Sequence, residues 1–574
     1  MSFSWSSLRA WILLLILPCI GAVFVGAFAP FYFESFGLLF PLTLLLVGAQ
    51  GSTRRALWHV WLMALGFFVA GVYWIYFSMH VYNGLDAWLV YAMIVVLSAY
   101  LALFPALSVW ILRRYISLQP LGVLLAFPAL WVLLEWLRSW LFTGFPWLVL
   151  GYSQSNSFVG QSAAVLGVYA VSGLLAFFAA VFYWLFRESP PRWVWSALIA
   201  VALLGMLTPP YVVGGIGLAA LVYHAFRRAP VAWVALGVVG LVVVAALPRW
   251  GYDLPSRIRV ALVQGNIPQE IKYTKPELSY ARYLELTSPL KDVDLVVWPE
   301  TSFPNFLHRV ENEILAPLDR ELQAKNIELI LGIQVQEKLS ETEQVGYNAA
   351  LRLSERQRRY YKVHLVPFGE YMPWHSLLAD VYKAVGAPDS HFSSGPPVQP
   401  LLRYKTHPVG VGICYEIAFG NEMRGQLPQA EFLINLTNNA WFFDPRMLRA
   451  NRTSGQRPLT LAEERSFNLS SLSLWYTQFW EDSTEPYQLL QMAQMRAIES
   501  ARYVLTATND GVSAVINPRG EVIATLPRFV KGVVRAEIIP RSGSTPYVFW
   551  GNYLIISLCV ILLAGVWLRQ RRLR

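Results

Sequence analysis

Ten apolar segments, most of them long enough to cross a lipid bilayer, are the feature that most restricts how this chain folds. A transmembrane helix needs about 20 consecutive apolar residues. The segments occupy residues 11–31, 36–51, 57–78, 87–112, 121–141, 162–186, 193–208, 211–226, 231–248 and 548–567. They predict a polytopic α-helical membrane bundle of about nine spans and a C-terminal transmembrane helix, with one alternative: 193–208 or 211–226 is short enough to be re-entrant.

Composition agrees with a membrane protein that carries one soluble domain. Of the 574 residues, 55% are hydrophobic and only 14% are charged, whereas soluble proteins carry about 25% charged residues. The apolar excess is confined to the segments above, and the long stretch between the last two has the composition of a soluble α/β domain. We predict three regions: a bundle at 1–256, a soluble domain at 257–540, and a C-terminal helix with a basic tail at 541–574.

The basic residues predict the orientation of the chain. They lie in short loops, whereas the alternate loops "MHVYNGLDAW" (79–88) and "TPPYVVGG" (208–215) contain no Lys or Arg. The basic loops contain Arg54, Arg55, Arg113, Arg114, Arg187, Arg192, Arg227 and Arg228, and the tail is "RQRRLR". Loops rich in Lys and Arg stay in the cytoplasm, so the soluble domain is predicted to be extracytoplasmic. This placement accounts for the net charge of +10 without nucleic-acid binding.

The soluble domain reads as alternating strands and helices. Strands rich in Val and Ile that are buried on both faces are typical of layered α/β folds. The predicted strands are 258–267, 294–301, 327–335, 407–417 and 431–439, and the predicted helices are 276–289, 310–325 and 487–502.

Three reactive side chains lie where strands or hairpins end: Glu300, Lys362 and Cys414. Taken singly, each has an ordinary explanation, as a solvated acid, a surface lysine or an inert buried thiol. Taken together, they supply a base, a cation that stabilises an oxyanion, and a nucleophile. The chain has three cysteines, and the other two, Cys19 and Cys559, lie in apolar spans.

The motifs around these residues resemble a known family. "VVWPET" (296–301), "YYKVHLVPFGEYMP" (360–373) and "GVGICYEIAF" (410–419) resemble the Glu–Lys–Cys signatures of the carbon–nitrogen hydrolase (nitrilase) superfamily. With "GVYWIYFSMHVYNG" (71–84) and "TPYVFWGN" (545–552), the whole chain resembles the apolipoprotein N-acyltransferase family. The resemblance implies an αββα-sandwich (nitrilase-like) domain on the periplasmic face of a multi-pass protein of the bacterial inner membrane.

The resemblance also implies roles and partners. Cys414 would be the nucleophile, Glu300 the general base and Lys362 the oxyanion stabiliser. The supporting or substrate-binding residues would be Glu370, Tyr415, Glu416, Tyr273, Asn439 and Trp441. An acyl chain would pass from a phospholipid to the N-terminal amine of a diacylglyceryl apolipoprotein at the bilayer. The protein is expected to be a monomer, with no metal, cofactor or nucleic acid.

Several positions depart from the family pattern. Tyr273 stands where a Trp is usual, Asn439 where an acid is usual, and Leu489 where a His is usual. An insertion at about 445–484 contains the aromatic run "SLWYTQFW", which either enters the membrane interface or is an ordinary surface loop. These departures bear on substrate binding rather than on the three reactive residues.

The roles of two other segments each have two possible interpretations. Glu135 and Arg138 lie on one helix face and either orient a lipid headgroup or form a structural ion pair. The segment 364–386 contains an amphipathic helix that is either a lid at the interface or part of the core.

Three rival functions follow from the same residues. A membrane-tethered amidase or nitrile hydrolase would use the same triad with water as acceptor. A degenerate paralogue would only bind lipoproteins, and a transporter is suggested by the ten spans. Matching halves with paired Gly/Pro-broken spans, which transporters commonly show, do not occur in the sequence.

Overall fold

The computed structural model describes residues 5–116, 118–119, 122–187, 250–338, 340, 344–384, 392–443 and 483–573. The chain divides into two compact units. The helical unit comprises Met1–Tyr73, Tyr91–Pro248 and Phe549–Arg574, and the sandwich unit comprises Trp74–Val90 and Arg249–Val548. The predicted spans between 193 and 248 lie outside the described residues, as does nearly all of the insertion.

Long apolar helices form the described part of the helical unit. The helices are α1 (Trp5–Val23), α2 (Ser35–Gly48), α3 (Thr53–Val72), α4 (Ala87–Ile111), α5 (Phe127–Arg138), α6 (Ala163–Leu166) and α7 (Val168–Arg187). Among the described residues, three helices are long and apolar enough to cross a membrane: Thr53–Val72, Ala87–Ile116 and Tyr553–Arg572. Shorter apolar helices occupy Leu13–Ala27, Ser35–Gly48 and Val168–Trp184.

Two predicted spans are wrong in their boundaries. The segment predicted at 121–141 ends as a helix at Arg138, whose guanidinium donates to carbonyl oxygens of the chain that follows, Phe145 at 3.1 Å and Trp147 at 2.6 Å. The segment predicted at 548–567 is interrupted, because Gly551 adopts φ 58° and separates two helices. These are Pro546–Trp550 and Tyr553–Leu573.

Strands and short helices build the sandwich unit. The strands are β1 (Tyr252–Asp253), β2 (Ile258–Gln264), β3 (Leu295–Val297), β4 (Phe303–Phe306), β5 (Glu328–Lys338), β6 (Gln344–Arg352), β7 (Arg359–Tyr361), β8 (Leu402–Tyr404), β9 (His407–Ile413), β10 (Phe432–Thr437), β11 (Val504–Thr508), β12 (Ser513–Ile516), β13 (Val522–Leu526), β14 (Gly532–Ile538) and β15 (Arg541–Ser542). The helices are α8 (Gln269–Thr274), α9 (Pro276–Thr287), α10 (Leu307–Val310), α11 (Ala316–Ala324), α12 (His375–Ala384), α13 (Gly420–Arg424), α14 (Glu485–Ser500) and α15 (Pro546–Trp550).

Two sheets face each other. One has the order β14-β2-β3-β5-β6-β7, with β4 paired to β5, and the other has the order β13-β12-β11-β10-β9-β8. The central pairs β2–β3, β3–β5, β9–β10 and β10–β11 are parallel, so the carboxyl ends of neighbouring strands share one edge in each sheet.

Alternating side chains fill the layers of the sandwich unit. Ile258, Val260 and Leu262 of β2 pack with residues of the other sheet, such as Val411 and Ile434. The intervening Ala261 and Val263 pack against α9 and α11 through Tyr283, Leu318 and Leu322. Helix α14 covers β11 and β12. The predicted αββα sandwich is therefore confirmed.

Candidate active site

Glu300 follows β3 in a tight turn against β5. The Trp298 N–H donates to the Ile330 carbonyl at 2.9 Å, and a Cβ on Gly332 would lie 2.6 Å from the Glu300 Cα. Only glycine at 332 lets the turn approach this closely. The Glu300 side chain is buried, with 7% of the residue exposed, so its carboxylate must be bound by protein groups.

Two polar side chains and one backbone amide bind this buried acid. The Asn348 Nδ2 donates to Glu300 Oε1 at 2.7 Å and to Glu370 Oε1 at 3.0 Å. The Lys362 Nζ lies 3.5 Å from Glu300 Oε1 and 2.8 Å from Glu370 Oε2. The Asn438 N–H donates to Glu300 Oε2 at 2.9 Å. One ammonium is thus held between two carboxylates, and Asn348 bridges them.

Cys414 occupies the turn that follows β9. Its φ of 57° lies in the left-handed region, which is costly for a residue with a side chain. The residue is partly buried, and Cys414–Ala418 form a single turn of 3-10 helix. The fold therefore holds this thiol in a backbone conformation that unconstrained cysteines avoid.

Glu416 braces the Cys414 turn against the segment that carries Lys362. Its Oε2 accepts from the Ile413 N–H at 2.7 Å, and its Oε1 accepts from the N–H of Val363 at 2.6 Å and the hydroxyl of Tyr360 at 2.9 Å. The residue is 1% exposed. The two segments that carry Lys362 and Cys414 are therefore joined by one buried carboxylate.

The charges of these groups act on one another. Burial by itself lowers the pKa of the Lys362 ammonium, but the carboxylates of Glu370 and Glu300 outweigh burial and raise it above its ordinary value. Burial raises the pKa of the Cys414 thiol well above its usual range, Glu300 raises it further, and Lys362 opposes them. At neutral pH the resting site holds a permanent ammonium beside a protonated thiol, so thiolate formation requires a proton acceptor.

The remaining predicted residues lie around this centre. The negative charges of Glu300 and Glu370 act on the phenol of Tyr273, which is 47% exposed on α8. Tyr415 is buried and its ring packs on that of His364. Asn439 is buried and donates from Nδ2 to Glu485 Oε2 at 2.8 Å. The partly buried Trp441 contacts the ring of Tyr82, with ring centroids 5.6 Å apart.

Four contributors were missed by the sequence reasoning: Asn348, Lys272, Asn438 and Glu485. Asn348 is an amide within the apolar strand β6, and a buried polar residue at such a position was an available signal. Lys272 is fully buried and its Nζ lies 3.4 Å from the Glu300 carbonyl oxygen. Burial lowers the pKa of Lys272 to about 8, while Glu300 and Asp510 act in the opposite direction. Glu485 had no sequence signal, since an acid in the first helical turn is usually exposed.

The paired residues Glu135 and Arg138 lie apart from this centre along the chain, in the helical unit. Arg138 Nη2 lies 3.9 Å from Glu135 Oε1, which also accepts from the Leu150 N–H at 2.8 Å. Both residues line a small pocket with aromatic rings such as Phe68 and Trp131. Their backbone contacts favour the structural ion pair, and a role in binding a headgroup stays a prediction.

The amphipathic helix predicted within 364–386 corresponds to α12. Helix α12 leaves Leu377 79% exposed and Trp374, just before it, 54% exposed, so these two side chains do not belong to a core. The side chains of Leu378 and Val381 lie outside the described residues.

Within the described ranges, no group of three or more His, Cys, Asp or Glu side chains is arranged to hold a metal ion.

Comparisons with known proteins cover almost the whole chain. Residues 20–181 match the model of the apolipoprotein N-acyltransferase N-terminal domain, and residues 259–456 and 474–547 match the carbon-nitrogen hydrolase model. An apolipoprotein N-acyltransferase of Methylococcus capsulatus is 34% identical over 558 residues, covering 95% of each chain. One from Azotobacter vinelandii is 32% identical over 573 residues, covering 99% of this chain and 97% of its own. The chain therefore belongs to the apolipoprotein N-acyltransferase family.

Proposed function

We propose that this protein transfers a fatty acyl chain from a phospholipid, through a thioester on Cys414, to the N-terminal amine of a diacylglyceryl-cysteine in an apolipoprotein. One observation carries the proposal: the Lys362 ammonium lies between the carboxylates of Glu300 and Glu370 and acts electrostatically on the Cys414 thiol. Family membership supplies the substrate class, and this cluster supplies a nucleophile, a base and a fixed positive charge.

In the first half-reaction Cys414 is acylated. Glu300 accepts the thiol proton while the sulfur attacks the carbonyl carbon of the phospholipid ester. The negative charge that develops on the carbonyl oxygen is stabilised by the Lys362 ammonium. The ester C–O bond then breaks, Glu300 returns its proton to the leaving oxygen, and a lysophospholipid departs.

In the second half-reaction the thioester is consumed. The lone pair of the acceptor α-amine attacks the thioester carbon, and Glu300 takes a proton from the amine nitrogen. The C–S bond breaks, the proton returns to sulfur, and an amide is released with Cys414 restored. Glu370 and Asn348 hold Lys362 and Glu300 in place through both steps.

The proposal extends to location. The apolar helices are compatible with an inner-membrane protein, and we propose that the sandwich unit lies on the periplasmic face, where both lipid-anchored substrates meet it. A reporter fused after Arg228 should be cytoplasmic, and one fused near Pro255 should be periplasmic. Finding both reporters on one side contradicts this topology.

Mass spectrometry of a purified lipoprotein N-terminus tests the reaction. With the protein and a phospholipid present, the N-terminal cysteine should gain one amide-linked acyl chain. Release of free fatty acid without a modified lipoprotein would instead identify a hydrolase that uses water. Binding of the lipoprotein with neither product would identify a degenerate binding protein.

A further inference from the structure

Glu485 is a buried acid that the mechanism above does not use. It is the first residue of α14, and 2% of it is exposed. Its Oε2 accepts from the Asn439 Nδ2 at 2.8 Å. A buried carboxyl group destabilises the folded protein unless other groups bind it. The hydrogen bond from Asn439 therefore offsets a large part of the cost of burying Glu485.

Asn439 belongs to the turn that delivers an N–H group to Glu300. The preceding residue, Asn438, donates its backbone N–H to Glu300 Oε2 at 2.9 Å. On the other side of Asn439, a Cβ at Gly511 would lie 2.1 Å from its Oδ1. The Asn439 amide is therefore confined between the Gly511 backbone and the Glu485 carboxyl group, and a shift in either moves the turn that binds Glu300.

We propose that Glu485 is a positioning residue of the transfer reaction: through Asn439 it fixes the turn at 438–441 and thereby the orientation of Glu300 toward Cys414. This inference rests on the proposed function and adds a residue to it. The required property of Glu485 at neutral pH is its acceptor oxygen rather than its charge.

The electrostatic surroundings of Glu485 support a neutral carboxyl group. Burial raises the pKa of Glu485 to about 8, the Asn439 hydrogen bond and the charge of Arg528 lower it, and Asp510 and Glu300 raise it. The carboxyl group is thus mostly protonated at neutral pH and ionises as the pH rises through this value. Its negative charge then raises the pKa of the Cys414 thiol further, which opposes thiolate formation.

The positioning role of Glu485 and the effect of its ionisation can both be measured with the full-length protein in phospholipid vesicles. Glu485→Gln keeps an acceptor oxygen, and we expect its kcat to stay within about twofold of wild type at neutral pH. Glu485→Leu and Asn439→Leu should each lower kcat about tenfold with KM unchanged. Because the two residues act as a unit, kcat of the double Leu variant should be no lower than that of the less active single variant. Ser500→Ala, a buried change at the far end of α14, is the matched control for stability.

Alkylation of Cys414 by iodoacetamide over a pH series that spans the Glu485 pKa gives a second readout. In wild type the alkylation rate should rise less steeply above the Glu485 pKa than it does in Glu485→Gln. Because Gln is nearly isosteric with Glu, this comparison remains possible even if the Leu variants do not fold. Identical pH curves, a Glu485→Gln variant as slow as Glu485→Leu, or losses that multiply in the double variant would each overturn the proposal. A wild-type protein that N-acylates no lipoprotein refutes the proposed function instead, while the alkylation comparison still decides the role of Glu485.

Discussion

The two sides of the active site differ in how their charges are balanced. On the lysine side, formed by Glu300, Asn348, Lys362 and Glu370, one ammonium faces two carboxylates at 3.5 and 2.8 Å. On the thiol side, formed by Cys414, Glu416, Asn439 and Glu485, the charges of Arg528 and Lys362 act on Glu485 and Cys414 respectively, but burial outweighs them and raises the pKa of both groups. Burial lowers the pKa of Lys362, but Glu370 and Glu300 outweigh burial and raise it. For Cys414, burial raises the pKa of the thiol and Glu300 raises it further.

This difference indicates how the site divides its work. The lysine side is charged before any substrate arrives, so the stabilisation of an oxyanion that we propose for Lys362 requires no rearrangement. The Cys414 thiol stays neutral until a base removes its proton, which limits reaction of a free thiolate with water-borne electrophiles. Three substitutions test this division and a fourth, in helix α12, tests the lid; they follow in descending order of expected effect.

Replacing Cys414, the proposed nucleophile, should have the largest effect on activity. Cys414→Ser is nearly isosteric and should fold normally, but its hydroxyl is far less acidic than a thiol. We expect acyl transfer to fall by about a thousandfold or more, measured as amide-linked acyl chain on a lipoprotein. Near wild-type transfer by the Ser variant would show that the thiol side is not the site of covalent chemistry.

Removing the cation should have the largest effect on stability. Lys362→Met leaves two buried carboxylates without their ammonium, which costs about 3–5 kcal/mol. Lys325→Met removes a surface lysine paired to Glu321 and should cost under about 1 kcal/mol. Equal losses in free energy of unfolding would show that Lys362 does not stabilise the two buried carboxylates.

The same lysine predicts a pH dependence. Because the pKa of Lys362 is raised in the folded protein above its ordinary value of 10.5, its contribution to stability is complete below that value. The contribution is lost only as the pH rises through the higher folded value. Wild-type stability should therefore decline in strong alkali more than that of Lys362→Met, as measured by thermal unfolding.

Replacing the base should slow thiol chemistry by an intermediate amount. Glu300→Gln keeps the shape of the side chain but cannot accept the Cys414 proton, and we expect alkylation of Cys414 to slow by about a hundredfold. Glu313→Gln, an exposed acid on the same unit, is the control. Equal alkylation rates in the two variants would remove Glu300 from the role of base.

The exposed helix α12 should give the smallest effect on stability. Leu377→Ser changes a side chain that is 79% exposed, so unfolding should change by about 0.5 kcal/mol or less. We expect slower transfer or a greater share of thioester lost to water, because a lid at the interface admits lipid and excludes water. Leu322→Ser, buried on α11, should cost several kcal/mol. A comparable loss from Leu377→Ser would refute the lid.

On each side of the site the sequence named three residues and missed one. Apolar strands ending at Glu300 and Cys414 predicted layered α/β packing, since burial on both faces requires Val- and Ile-rich runs, and the family resemblance implied the two-sheet sandwich. Asn348 and Glu485 were missed because their partners are distant in sequence: Asn348 meets Glu300 and Glu370, and Glu485 meets Asn439. The break of the last span at Gly551 was missed because a positive φ is set by local backbone geometry, which hydropathy does not report.

Trapping the covalent intermediate tests the central claim most directly. Wild-type protein would be incubated with a phospholipid carrying one labelled acyl chain, without acceptor, digested, and examined by mass spectrometry of the peptide that contains Cys414. We predict the mass of one acyl chain on Cys414, removed by hydroxylamine as thioesters are, and transferred to the α-amine when a diacylglyceryl-cysteine peptide is added. Labelled lipoprotein produced with Cys414 never acylated would contradict the thioester mechanism.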